Sequence, residues 1–147
     1  MQRHKLMTAV LIYAAAAVAA VVPASASPSV GSQPSAHVVI VDCFSKPQVR
    51  PSEFLIACGD GNSSLIALKW THWGSTSATG RGLNVVNDCK PYCAAGKFHN
   101  YPVMVRLERP EAWPQHPEQQ RYTQLHLVYT EGRPEHTTPE VTIRLWP

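Results

Sequence analysis

Helical periodicity is what this chain most lacks. After residue 26 no window sustains apolar residues at i, i+3, i+4 and i+7, and its 13 prolines interrupt most candidates. A basic run is missing as well. The 13 Lys and Arg against 10 Asp and Glu give a formal charge of +3, but these residues are scattered. Nucleic-acid binding draws on a basic patch that displaces counterions from phosphates, so no nucleic-acid partner is expected. After residue 22 no apolar stretch is long enough to span a membrane. There is no Gly-x-Ser-x-Gly elbow and no His-Glu-x-x-His pair. No internal repeat and no second domain stand out.

What is present begins with an address. Arg3, His4 and Lys5 form a basic start, Leu6 to Val22 is an alanine-rich apolar stretch, and Pro23 precedes the small-x-small site Ala24-Ser25-Ala26. This order predicts a secretory signal peptide over residues 1–26, cleaved after Ala26. A signal anchor is the competing reading, since an apolar stretch of about 17 residues can span a thinned bilayer. Pro23 and the Ala-x-Ala site favour cleavage, and no cysteine marks a lipoprotein signal. Residues 27–36 (SPSVGSQPSA) have the composition of a flexible lead. Residues 37–147 then form one domain, expected to be secreted or extracytoplasmic. The signal carries Arg3 and Lys5 and no acid, so the exported chain has eleven basic against ten acidic side chains.

From residue 37 onward the apolar pattern has period two. Seven short strands are predicted: 37–42 (HVVIVD), 53–58 (EFLIAC), 64–73 (SLIALKWTHW), 82–87 (GLNVVN), 101–108 (YPVMVRLE), 124–131 (QLHLVYTE) and 141–146 (VTIRLW). The inward faces read as Ile66, Leu68 and Trp70; Tyr101, Val103, Val105 and Leu107; Leu125, Leu127 and Tyr129; and Val141, Ile143 and Leu145. Gly80 and Gly82 suggest a bend or bulge. Residues 109–122 (RPEAWPQHPEQQRY) hold three prolines and read as a long connection. The expected fold is all-β: a single-domain, disulfide-stapled β-sandwich of about seven strands, immunoglobulin-like, with a small Greek-key barrel as its rival. Trp70 and Trp73 are three apart, an offset that puts them on opposite faces of a regular strand. Trp70 then belongs to the core. Trp73 and Trp146 fall on the faces that carry Lys69 and Arg144, covering a sheet edge or forming a shallow aromatic platform.

The chain has four cysteines, Cys43, Cys58, Cys89 and Cys93. In an exported chain an even number reads as disulfides. A tight turn carrying Pro91 brings Cys89 and Cys93 within bridging range, which leaves Cys43 with Cys58. If the first two strands form a simple hairpin, Cys43 and Cys58 do not face each other, so strand-switching or another connectivity stays open. On the loop-entropy account the two favoured bridges contribute about 2 and about 3 kcal/mol. Structural zinc is disfavoured because only one cysteine pair is close. A redox dithiol is disfavoured because the spacing is Cys-x-x-x-Cys with no helix to lower a thiol pKa. No metal or other cofactor is expected.

Gly59-Asp60-Gly61-Asn62 lies between strand runs and reads as a tight turn. A calcium loop fails, because the positions that need Gly and Glu are Leu65 and Thr71. Asp60, Asp88, His72 and His99 sit near strand ends and are the candidates for a polar cluster. No catalytic residue is assigned. The candidate binding surface is Lys90, Tyr92, Trp73 and His99, centred on the cysteine-closed Lys90-Pro91-Tyr92 turn.

The segments ACGDGNSSL (57–65), LKWTHWG (68–74), ATGRG (78–82) and NDCKPYCAAGKFHNYPVMVRL (87–107) resemble a group of small exported actinobacterial proteins of uncharacterised function. The resemblance implies an exported protein of a high-GC Gram-positive bacterium and brings no catalytic residue, cofactor or ligand. The function expected from these features is a non-catalytic β-sandwich that binds an extracellular or envelope ligand or partner. A secreted protease inhibitor using the Lys90-Pro91-Tyr92 loop is one alternative. A small hydrolase or glycan-binding module, with Trp73, Tyr92 and Trp146 as stacking surfaces, is the other.

Overall fold

The structure is a computed structural model that describes residues 38–146. The signal peptide and lead expected over residues 1–36 lie outside the described residues. Eight strands follow in order: β1 (Val38–Val41), β2 (Pro47–Gln48), β3 (Phe54–Leu55), β4 (Ser63–Trp73), β5 (Ala78–Asn87), β6 (Phe98–Trp113), β7 (His116–Tyr129) and β8 (Glu140–Arg144). A single 3-10 turn at Cys93–Ala95 precedes β6. The fold is all-β, as the period-two pattern predicts. The strands form one sheet in the order β2-β1-β7-β6-β5-β4-β3. Strands β4 to β7 make an antiparallel meander. The far edge of β7 is shared: β1 pairs with it in parallel at Gln120 and Arg121, and β8 antiparallel along Gln124 to Val128.

The sheet curls until strands that are not neighbours meet across its concave face. The Trp73 indole donates to the Val38 carbonyl at 2.8 Å, and the Tyr122 hydroxyl donates to the Gly74 carbonyl. Phe54 stacks on Trp146 with ring centroids 5.8 Å apart. Inside lies a core that includes Leu65, Val105, Leu107, Tyr122, Leu125 and Leu127. Each such leucine, wholly removed from water, stabilises the fold by about 1.5–3 kcal/mol. Of the inward residues read for β6, β7 and β8, Val103, Val105 and Leu107, Leu125, Leu127 and Tyr129, and Ile143 and Leu145 face this core, whereas Tyr101 and Val141 are half-buried outside it.

The structure corrects the sequence reading of β4. Its register with β5 shifts twice, once between Ile66 and Lys69 and again between Trp70 and His72. Each shift inserts one residue and flips the alternation of side chains that follows. Trp70 and Trp73 therefore share the core side, edge to face, with centroids 4.7 Å apart. Leu65 takes the buried place expected for Ile66, which is half-buried. At the first bulge Ala67 has a φ of +51°, and the backbone presses on β5. A Cβ at Gly82 would stand 2.8 Å from the Ile66 carbonyl oxygen. Glycine at 82 thus marks a bulge in the partner strand.

Trp146 also turns to the core, donating from its indole to the Asp42 carbonyl at 3.2 Å. Among the described residues Trp73 and Trp146 pack against the core and form no aromatic platform. The expected strand at 53–58 shortens to Phe54–Leu55, because the Ile56 and Ala57 amides both turn to the Ser63 carbonyl. The expected connection at 109–122 is instead the outer half of a β6–β7 hairpin, closed by the Pro114-Gln115 turn. Pairing of β5 with β6 ends at Leu107. Beyond that point β6 has no second strand neighbour among the described residues, so Pro110 sits where prolines are tolerated.

Candidate functional site

Both disulfides have the favoured connectivity, Cys43–Cys58 and Cys89–Cys93, and no cysteine is free. Cys43 and Cys58 have Cα atoms 5.5 Å apart and tie the end of β1 to the segment after β3. Two such bonds belong to an oxidising, extracytoplasmic environment. Among the described residues no helix is long and apolar enough to cross a membrane.

The second disulfide closes a turn at the end of β5, and Asn87 is what seats it. The Asn87 side chain is 9 % exposed. Its amide donates to Asn62 Oδ1 at 2.9 Å and to the Cys93 carbonyl at 2.8 Å, while its Oδ1 accepts the Cys89 amide at 3.0 Å. Its backbone amide donates to the Asn62 carbonyl at 3.0 Å. One residue therefore pins both the 59–62 turn and the cysteine loop to the strand end. The close fit explains Gly96, where a Cβ would overlap Asn87 Oδ1 and stand 2.8 Å from the Cys89 amide nitrogen. The Lys90–Pro91 peptide is cis.

Asp88 organises the next layer. Its Oδ1 accepts the backbone amides of Lys97 at 2.9 Å and Lys90 at 3.1 Å, and its Oδ2 lies 2.9 Å from His99 Nε2. These bonds, His99's first, hold the carboxyl down to about 2. It is ionised at neutral pH, so the His99 Nε2–H donates to it and leaves Nδ1 facing outward for another partner.

A second wall comes from the loop between β7 and β8. There Glu135 Oε2 meets Lys90 Nζ at 2.6 Å. Their mutual hydrogen bond raises the lysine pKa and lowers that of the glutamate. Between the two loops lies a polar bay of about 490 Å³, lined by Asn87, Asp88, Lys90, His99, Tyr101, Pro134, Glu135 and His136. Tyr92 on the cysteine loop and Phe98 at the start of β6 are 63 % and 56 % exposed.

Of the four residues expected at a binding surface, Lys90 and His99 line the bay and Tyr92 lies beside it on the loop. Trp73 does not join them. It pairs with Ala78 at one end of β5, while His99 pairs with Val86 at the other. That separation is eight residues along an extended strand, about 26 Å. His72 lies opposite Thr79, towards Trp73's end. Asp60 accepts the Asn62 amide at 3.0 Å, bracing its own turn, and does not line the bay. Asp88 and His99 are thus the two of that polar set which meet.

Sequence reading missed Asn87, Tyr101, Glu135 and His136. The Asn-Asp pair before Cys89 was the available signal, since both side chains fold back on their own backbone in turns. Nothing in the spacing signalled Glu135. No Ser, Thr or Cys lines the bay, so the Asp88–His99 pair has no adjacent nucleophile of those types. Among the described residues no three His, Cys, Asp or Glu side chains converge to hold a metal ion. No protein-family model, curated protein or solved structure matches the chain.

Proposed function

We propose that this is an exported, non-catalytic binding protein, working outside the cell or in the envelope, whose ligand site is the bay between the cysteine loop and the β7–β8 loop. The observation that carries the reading is the pair of ion contacts, Asp88–His99 and Lys90–Glu135, held by a disulfide and by Asn87. A site fixed before its ligand arrives loses less entropy on binding. The groups left outward are mixed donors and acceptors: the remaining Lys90 protons, Glu135 Oε1, His99 Nδ1, His136 and the Tyr101 phenol. No single charge dominates, which suits a polyhydroxylated ligand such as a glycan rather than a simple ion. The signal-peptide pattern and the resemblance to small exported actinobacterial proteins support export.

The inhibitor reading is less well served. A protease inhibitor extends one side chain freely into the enzyme's pocket, and the Lys90 ammonium is already engaged by Glu135. The test is a glycan array probed with the disulfide-intact protein and with Asp88→Asn. Binding to a defined saccharide class that weakens in the variant supports the reading. No binding across cell-wall and storage glycans counts against it.

A further inference from the structure

Both carboxylates of the bay are engaged within the chain, whereas most of its donors are not. Asp88 Oδ1 accepts the Lys97 and Lys90 amides, and Oδ2 holds His99. Glu135 gives Oε2 to Lys90, so its Oε1 is the carboxylate oxygen left for a ligand. Against that single acceptor stand the remaining Lys90 protons, the Tyr101 phenol, and the His99 and His136 rings, all lining the same bay. His99 and Tyr101 stand side by side on β6, with ring centroids 6.4 Å apart. Arg133, on the loop that carries His136, turns its Nε back to the Thr137 carbonyl at 2.8 Å and does not line the bay.

Charge in the bay has a fixed part and a variable part. The bonds to Asp88 hold its carboxyl down to about 2, and the hydrogen bond between Lys90 and Glu135 raises the base and lowers the acid. Two negative charges and one positive are therefore constant around neutral pH. Histidine is the side chain whose charge changes between about pH 5 and about pH 8, and the bay holds two. With both rings neutral the bay carries one net negative charge; with both protonated it carries one net positive charge. At His99 the hydrogen bonding changes as well. The neutral ring accepts at Nδ1 and the imidazolium donates there, while Asp88 holds Nε2 in either state.

From this arrangement we infer that the bay takes a saccharide bearing an anionic group, a carboxylate or a phosphate, received by Lys90, His99 and His136, and holds it more tightly in mild acid. The inference rests on the bay being a saccharide site, and adds the charge of the ligand and the condition for its capture. Protonated rings add cations beside Lys90 and turn the His99 acceptor, which repels an anion, into a charged donor. Glu135 Oε1 remains to accept a sugar hydroxyl. Each exposed ion contact contributes modestly, so the two rings together tighten binding by about tenfold from about pH 7.5 to about pH 5.5. By linkage, the bound anion strengthens the hold of the rings on their protons by the same factor.

The test is an array of neutral, amino, uronate-bearing and phosphate-bearing saccharides, probed with the disulfide-intact protein at about pH 5.5 and about pH 7.5. The expected result is capture on the uronate or the phosphate arm, about tenfold tighter at the lower pH and weakened by added salt. Whichever arm responds tells carboxylate from phosphate. His136→Gln leaves every bond of Asp88 in place and should cut the pH effect to about threefold. His99→Gln/His136→Gln should remove it, and a thermal melt confirms that each variant folds. Capture of neutral or amino saccharides alone, capture indifferent to pH, or a pH effect that survives in the double variant overturns the inference and leaves the bay a saccharide site. No capture on any arm overturns both.

Discussion

Asn87→Ala should loosen the whole bay end of the molecule. The lost side chain makes three hydrogen bonds, two from its amide and one to its carbonyl oxygen. Each contributes about 0.5–1.5 kcal/mol net, so the removal costs about 3 kcal/mol. For a domain of this size that lowers the melting temperature by about 10 °C. Denaturant unfolding measures the total. Amide exchange locates it, with protection falling at Cys89 and across the 59–62 turn while β6 and β7 stay protected. Asn87→Asp is the control: it keeps the acceptor for the Cys89 amide but sets a carboxylate oxygen against the Asn62 and Cys93 oxygens in a buried place, and should cost at least as much as Ala. A loss below about 0.5 kcal/mol, with unchanged exchange at Cys89, would show that Asn87 is not what seats the loop.

Three other outcomes follow from the same geometry. Gly82→Ala should destabilise the fold by about 1–3 kcal/mol in denaturant unfolding, because the added methyl meets the Ile66 carbonyl at the β4 bulge. Replacing Cys43 and Cys58 together by Ser should cost about 3 kcal/mol, as expected for opening a sixteen-residue loop, with the Cys89–Cys93 bond intact by mass mapping. Acid should release the cysteine loop late. Asp88 is lowered from 3.8 to about 2, so the carboxylate's contribution is complete above pH 3.8 and is lost as pH falls through about 2. NMR shifts of the Lys97 and Lys90 amides should titrate in that window, and a midpoint near pH 4 would contradict the bonding described.

The strands that sequence revealed are those where burial alone sets the pattern. Val103, Val105 and Leu107 alternate cleanly, as do Leu125 and Leu127, because both strands lie deep in the sheet with one face on the core. The bulges of β4 were hidden, since an extra residue is defined only against the partner strand. Gly82 signalled that something happened there but not in which strand. The outer β6–β7 hairpin was hidden by its prolines, whose cost depends on whether a second neighbour is present, which local sequence does not carry. The disulfides were legible from compartment and spacing. The bay was half legible: Asp88, Lys90 and His99 sit within one motif, whereas Glu135 reaches Lys90 from 45 residues away through the β7–β8 loop.

The most direct test of the bay as a ligand site is a ¹⁵N NMR titration with whichever saccharide the array selects. The account predicts saturable shifts confined to residues 87–101 and 134–136, and their loss in the Lys90→Ala/Glu135→Ala variant. Shifts centred elsewhere on the molecule, or binding unchanged in that variant, would contradict it.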